Sequence, residues 1–291
     1  MRYPLAPDLT RTAASRLLAA TSRWWRRALV ARAVDAAGLM SGRRLMIIAP
    51  HPDDETLGCG ALIARARANG DAVTVVVATD GRHSTRSAVL SPAALARVRA
   101  DELRLACRGL GVPAADLVVL GWEDGSLATR MPQLTGRFAE LIAERRAEVI
   151  LVPCAEDEHP DHRAVYRAAL RAVERQAGSC LLVGYPVWTW AHAPWFVDAG
   201  APRGWRGWLG RRGWLGRLGW SAYQLLVGGW IRVGCGPYLG AKRTAVAAYA
   251  SQTTNLTGEA SWRHLSPEFV SLFLQPAEVF RPVPAGRRAG A

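Results

Sequence analysis

The sequence predicts an α/β fold: a Rossmann-like, mostly parallel sheet with helices on both faces, carrying a Trp/Arg/Gly-rich insertion. Between Ser41 and Val187, short continuous apolar runs alternate with helical patterns. That alternation marks βαβ units, whose right-handed crossovers lay helices against a parallel sheet. Proline falls near the first helical turn at Ser91-Pro92 and Met131-Pro132, and Gly70, Gly109, Gly111 and Gly178 supply stops, as helix starts and ends require. At 291 residues and 50% hydrophobic, the chain can bury a full core, so one α/β domain with elaborations is expected rather than two independent domains.

In chain order, residues 10–37 give the first helical pattern. Leu17, Leu18, Trp24, Trp25, Leu29, Val30 and Val34 are spaced as an apolar face, with Arg16, Arg23, Arg26, Arg27 and Arg32 around it. The segment lacks signal-peptide anatomy, and its arginines interrupt the run of about 18 apolar residues that a membrane span wants. A helix covering the core and a helix lying on a membrane are the two readings of residues 1–40. Within the domain over 41–291, strands are expected at 44–49, 72–79, 116–120, 148–153 and 181–187, and helices over 57–69, 92–109, 133–146 and 161–177. Residues 188–239 interrupt this pattern with an imperfect Gly-Trp-Arg repeat at 204–220 and an apolar run from Leu225 to Val233. Trp with Arg suits a membrane–water interface; a glycine-loosened hairpin covering the pocket is the alternative.

Charge is unevenly placed. Residues 1–44 hold nine Arg against two Asp, residues 45–198 hold 16 basic against 19 acidic groups, and residues 199–291 hold 12 basic against three acidic. The central domain is therefore slightly acidic and its flanks basic, which points to an anionic membrane surface as partner. The centre lacks any nucleic-acid-binding motif, so nucleic acid is not expected. The one lysine beside 36 arginines also fits a GC-rich coding sequence, which raises arginine without any partner. Cys59, Cys107, Cys154, Cys180 and Cys235 are odd in number and show no CxxC spacing. A disulfide framework or cysteine zinc site is not expected, and a reducing, cytoplasmic location is, with peripheral attachment at the inner membrane face.

Chemistry concentrates in two turns. His51-Pro52-Asp53-Asp54-Glu55 follows the apolar run Leu45–Ala49, and Asp157-Glu158-His159-Pro160-Asp161-His162 follows the run Val149–Pro153. Parallel sheets bind ligands at the carboxyl ends of their strands, so imidazoles and carboxylates placed there suit a metal site. A solvated acidic loop capping a helix is the structural alternative for the first turn. The segment after it carries Gly58-Cys59-Gly60 without a third glycine in register, and an acidic turn would repel a pyrophosphate, so dinucleotide binding is not expected.

These two motifs resemble the PIG-L/LmbE-like family of metal-dependent sugar de-N-acetylases, over roughly Arg44 to Val187 and Lys242 to Gln252. The resemblance implies hydrolytic removal of an N-acetyl group from an N-acetylglucosamine-like sugar, carried on a lipid or a glycan. His51, Asp54 and His162 provide two imidazoles and one carboxylate, a set that leaves coordination positions open on Zn²⁺ or Fe²⁺, and the family uses the same three positions as ligands. It implies Asp53 as general base and His159 as the group that stabilises the oxyanion and protonates the leaving amine. Asp157 and Asp161 are expected to orient His159 or His162 by hydrogen bonds. Arg99, in an Arg-x-x-Glu pattern, and Asp124, in an Asp-Gly loop, are the implied sugar contacts; without the family they read as an ion-pair partner and a turn residue. Glu55 reads as a helix cap, and Tyr249 lies in the resembling Lys242–Gln252 stretch with no role assigned. A metal-binding, membrane-associated scaffold without hydrolysis and a nucleotide-sugar-binding transferase are the readings from other classes.

Overall fold

The computed structural model describes residues 13–176, 180–192, 225–226 and 228–283. Helix α1 (Ala13–Arg32), strand β1 (Val34–Asp35) and α2 (Ala37–Met40) lead into the alternating part. This runs β2 (Leu45–Ala49), α3 (Asp54–Ala68), β3 (Val73–Thr79), α4 (Pro92–Gly109), β4 (Leu117–Trp122), α5 (Met131–Glu144), β5 (Val149–Pro153), α6 (Pro160–Arg175), β6 (Leu181–Tyr185) and α7 (Thr189–His192). Strand β7 (Ile231–Gly234), the helices Leu239–Ala248, Ala250–Thr253 and Pro267–Ser271, and β8 (Ala277–Pro282) follow.

The strands form one sheet in the order β1-β7-β8-β6-β5-β2-β3-β4. From β6 to β4 neighbouring strands are parallel, as the alternation requires. Strand β2 sits in the middle, with Ile47 in register with both Val75 and Leu151. Its alternate side chains enter opposite layers: Leu45, Ile47 and Ala49 join one core with Val75, Leu62 and Phe280, and Met46 and Ile48 join the other with Phe138, Leu141 and Val165. Both faces are buried, which is why the strand reads as an unbroken apolar run.

Local signals set the helix ends. Ser91 caps α4 by accepting the Ala94 N–H, with Pro92 in the first turn. Gly70 and Gly111 take φ of 81° and 82° just beyond helices, a conformation glycine adopts without steric cost.

Three features depart from the sequence expectations. Helix α3 starts at Asp54 rather than near Leu57, because the acidic residues occupy its first turn, where the helix dipole favours them. The Lys242–Gln252 stretch, whose resemblance implies one late helix ending in Ser-Gln, breaks at Tyr249, which joins Leu239–Ala248 to Ala250–Thr253 with φ −84° and ψ 59°. Strands β1, β7 and β8 extend the sheet, and β8 runs antiparallel to both β6 and β7. Strands β1 and β7 have only two and four residues and pair across about 200 positions, so neither carries a periodic signal of its own. The segments read as an N-terminal helix and an insertion thereby meet in the sheet edge. The 204–220 repeat lies outside the described residues.

The described part of α1 packs one face on the core through Trp25 and Leu29, while Arg23, Trp24 and Arg27 are exposed on the other. Behind α3, Glu278 of β8 accepts the Ala61 and Leu62 N–H groups, both at 2.8 Å. It also pairs with Lys242 Nζ at 2.7 Å, and Lys242 donates to the Leu57 carbonyl at 2.7 Å. The one lysine of the chain is thus a buried strut between helix and strand; removing either partner would leave an uncompensated buried charge, costing about 3–5 kcal/mol. Gly58 allows α3 to meet β6 closely, since a Cβ there would lie 2.3 Å from the Tyr185 ring.

Candidate active site

The parallel sheet changes direction at β2 and β5: β3 and β4 follow on one side of β2, β5 and β6 on the other. The crevice at the carboxyl ends of β2 and β5 is therefore the switch point where such sheets bind ligands. Both sequence motifs leave their strands there.

In the first turn, the His51 N–H donates to Asp54 Oδ2 at 3.0 Å, and the Asp54 N–H to the His51 carbonyl at 3.3 Å. Asp54 Oδ2 then stands 3.2 Å from His51 Nδ1 and 3.2 Å from His162 Nε2. Asp53 has φ 126°, and among the described residues only Arg146 shares a positive φ without being glycine. Such a backbone costs about 1–3 kcal/mol and persists where surrounding contacts impose it. Although Asp53 occupies the N-cap position, its carboxylate makes no cap hydrogen bond; it lies 3.3 Å from Arg99 Nη2. Burial raises the Asp53 pKa to about 8, with Arg99 opposing the shift.

Arg99, expected to touch sugar, is 2% exposed. Its guanidinium donates to the Gly81 and Pro52 carbonyls and pairs with Asp53, so it buttresses Asp53 from inside. Gly81 is required for this: it takes φ 64°, and a Cβ would fall 2.4 Å from Arg99 Nη1.

The second turn orients the histidines. Asp157 is fully buried, lies 2.9 Å from His162 Nδ1, and accepts the Thr189 N–H at 2.7 Å, the Val187 N–H at 3.3 Å and the Thr189 hydroxyl. A carboxylate at Nδ1 fixes the tautomer with its hydrogen there, which turns the Nε2 lone pair toward Asp54. Among the described residues buried His162 Nε2 makes no well-aligned hydrogen bond, although Asp54 Oδ2 is 3.2 Å away. A lone pair and a carboxylate oxygen 3.2 Å apart repel unless a cation lies between them, so the donor set fits a divalent metal. Without a cation the pair favours imidazolium: burial opposes the charge, but Asp54 and Asp157 raise His162 to about 9. Burial likewise opposes ionisation of Asp54, yet His162 and His51 hold its carboxyl far below the usual range.

His159 caps α6, its Nδ1 accepting the Asp161 N–H at 3.2 Å, so the ring hydrogen resides on Nε2. Its ring centroid is 4.6 Å from that of His51 and 5.1 Å from that of His162. Burial, and then His51 and His162, lower its pKa to about 3. Ligand atoms of His51, His159 and His162 all lie within 4.8 Å of one another, as do those of His51, Asp124 and Asp161. His159 and Asp124 thus border the same point as the expected trio of His51, Asp54 and His162.

Asp161 reaches two of the rings. Its carboxylate accepts the Gly125 N–H at 2.7 Å and the Leu127 N–H at 3.2 Å, and reaches His51 Nε2 at 3.3 Å. It therefore ties the Asp-Gly loop to His51, while its backbone N–H donates to His159 Nδ1. Asp124 lies 3.2 Å from His51 Nε2 and accepts the His83 N–H at 3.2 Å. Burial opposes its ionisation, but His51 holds Asp124 below the ordinary carboxylate range. Burial opposes protonation of His51, but Asp124, Asp161 and Asp54 outweigh it and raise the imidazole well above its ordinary value.

Sequence reasoning missed the residues that brace these turns from afar. Thr189 and the Val187 N–H hold Asp157; Arg281 of β8 pairs with Glu156; Glu102 accepts the Ser251 N–H at 2.7 Å and its hydroxyl at 2.6 Å. Ser251-Gln252 and Glu102, the Glu of the Arg-x-x-Glu pattern, both lie in resembling stretches, but nothing in the sequence pairs them.

The fold and site define a Rossmann-like protein with an imidazole–carboxylate centre fit for a divalent metal. Residues 46–173 match the PIG-L family model, described as GlcNAc-PI de-N-acetylase, and this part of the chain belongs to the PIG-L/LmbE-like N-acetylglucosaminyl de-N-acetylase family. The chain is 32% identical over 185 residues to 1D-myo-inositol 2-acetamido-2-deoxy-alpha-D-glucopyranoside deacetylase of Kineococcus radiotolerans, covering 51% of each protein. It is 30% identical over 138 residues to a probable N-acetyl-alpha-D-glucosaminyl L-malate deacetylase 2 of Bacillus cereus, covering 46% of this chain and 62% of that one. The chain spans about half the length of the first curated relatives it matches. The zinc inhibited form of teicoplanin deacetylase Orf2 shares the fold, with TM-score 0.58 and 19% identity over 82% of this chain and 97% of that one.

Proposed function

We propose that the protein is a metal-dependent amidohydrolase that removes the N-acetyl group from an N-acetylglucosamine-like sugar carried on a lipid or a glycan. The observation that carries this reading is the buried His162 Nε2 facing Asp54 at 3.2 Å without a well-aligned hydrogen bond, with Asp53 and His159 beside them. His51, Asp54 and His162 would hold a Zn²⁺ or Fe²⁺ ion, which supplies Lewis acidity to the acetamide and to water. Asp53, freed from capping and steadied by Arg99, takes a proton from the attacking water as its oxygen bonds to the acetyl carbon. His159, whose Nδ1 accepts the Asp161 N–H, donates a hydrogen bond from Nε2–H to the oxyanion, and the proton that Asp53 took from water passes to the amine as the C–N bond breaks. Acetate and the free amino sugar result. Asp157 fixes His162, Asp161 fixes His51 and the Asp124 loop, and Asp124 contacts a sugar hydroxyl.

Acetate release from acetylated amino sugars, with and without lipid tails, tests the reading on Zn²⁺-loaded and Fe²⁺-loaded protein. Release from none of them would overturn it.

The partner surface is an anionic membrane, at the cytoplasmic face. Attachment is peripheral in this reading, and among the described residues no helix is long and apolar enough to cross a membrane. It is supported by exposed Arg23, Trp24 and Arg27 on α1, with Val34 and Leu226 69% and 65% exposed. Each basic residue near such a surface contributes about 1 kcal/mol, screened by salt. Sedimentation with anionic but not neutral vesicles, weakened by salt, is expected; equal sedimentation with both would reject the electrostatic attachment.

A further inference from the structure

Glu55 and Tyr249 lie 194 positions apart and meet in the interior, with 0% and 1% of their surfaces exposed. The Glu55 carboxylate accepts three hydrogen bonds. Oε1 takes the Thr56 hydroxyl at 2.5 Å and the Tyr249 hydroxyl, and Oε2 takes the Asp53 N–H at 3.1 Å. The first two are what any buried carboxylate needs. The third grips the residue held at φ 126°, a torsion that a non-glycine residue keeps only under external constraint. Tyr249 reaches Glu55 from the break between Leu239–Ala248 and Ala250–Thr253. The break is itself held, since Glu102 on α4 binds both polar groups of the next residue, Ser251.

We propose that Glu55 and Tyr249 form a clamp that imposes the Asp53 backbone torsion and so aims the Asp53 carboxylate and the adjoining Asp54. They are positioning residues for the site. The part of the inference that concerns turnover rests on the deacetylase reading; the part that concerns the Asp54 position does not. Losing the Tyr249 hydroxyl leaves the Glu55 oxygen one donor short, lets the carboxylate turn, and releases the Asp53 N–H. The 52–55 turn can then relax toward an ordinary torsion, moving both aspartates away from His51, His162 and Arg99.

The test compares Tyr249→Phe with Tyr185→Phe. Tyr185 is another fully buried tyrosine, whose hydroxyl donates to the Ile48 carbonyl at 2.9 Å and lies outside the clamp. For Tyr249→Phe, the expected results are a kcat for acetate release about tenfold lower with KM little changed, and a Zn²⁺ dissociation constant about tenfold higher in competition with a chelating dye. Tyr185→Phe should lower the melting temperature without moving either quantity. Glu55→Gln should weaken Zn²⁺ binding similarly, and the double variant should be no worse than the worse single one, as for two parts of one unit. Wild-type Zn²⁺ affinity in folded Tyr249→Phe, or equal losses in Tyr185→Phe, would overturn the clamp. The Zn²⁺ measurement needs no turnover, so a wild-type protein inactive on every sugar would reject the deacetylase reading while leaving the clamp tested.

Discussion

The two turns that build the centre reach similar chemistry by opposite means. The β5–α6 turn is relaxed: His159 caps the helix, Pro160 opens it, and Asp157 and Asp161 each accept two or more hydrogen bonds from backbone or side chain. The β2–α3 turn is strained at Asp53 and crowds three buried carboxylates together, countered by Arg99, His51 and His162. The relaxed turn fixes ring direction, a matter of geometry that hydrogen bonds supply. In the strained turn His162 and His51 keep Asp54 ionised while burial raises Asp53 and Glu55, and its backbone needs constraint from outside the turn. Damage to the first should therefore show mainly as misorientation, and damage to the second as lost ionisation and lost metal.

The largest expected effect is on metal itself. Replacing His51, Asp54 or His162 by Ala should abolish stoichiometric metal content and hydrolysis while circular dichroism stays native, because the sheet and both cores stand apart from the turn. Full metal content in all three variants, measured by elemental analysis, would show that the ligands lie elsewhere.

Next come the group that moves the proton, Asp53, and the group that holds the oxyanion, His159, one from each turn. Asp53→Asn keeps size and polarity and should reduce kcat about 10²–10⁴-fold with metal retained, and His159→Ala should do the same. Single-turnover acetate release separates this from binding; a wild-type rate in either variant would remove that residue from the mechanism.

Smaller is the effect of loosening the relaxed turn. Asp157→Asn cannot hold His162 Nδ1–H as a carboxylate does, and should weaken Zn²⁺ binding about 10–100-fold. Unchanged affinity would mean that the Thr189 and Val187 contacts suffice to place the loop.

The mildest expected effect is a pH dependence. In metal-free protein His162 is raised from 6.5 to about 9 and Asp53 to about 8. The folded state therefore binds more protons than the unfolded one between pH 6.5 and these values, and stability falls as pH rises through that window. His162 contributes fully below 6.5 and loses its contribution by about 9. Zinc binding requires the deprotonated ligands and strengthens with pH, so the melting temperature of metal-free protein should drop from pH 6.5 to 9 and that of zinc-loaded protein should not. Parallel decline in both forms would place the titration outside the metal site.

What the sequence determined is local. Apolar runs at Leu45–Ala49 and Val149–Pro153, buried on both faces, identified central parallel strands, and the His-Pro-Asp-Asp-Glu and Asp-x-His-Pro-Asp-His turns after them located the centre, because strand, turn and helix start are contiguous in the chain. Only the tertiary structure decided which group each carboxylate serves: the Asp161 carboxylate reaches His51, Arg99 braces Asp53 from inside, and Glu55 meets Tyr249. Nor could residue patterns reveal that β8 joins the sheet antiparallel and braces both turns, through Glu278 behind α3 and Arg281 at Glu156. The physical reason is range. A backbone turn is written by its own four or five residues, whereas the partner of a buried charge is whatever side chain the packed sheet brings within about 3 Å, and that is fixed only once distant segments have been folded onto one another.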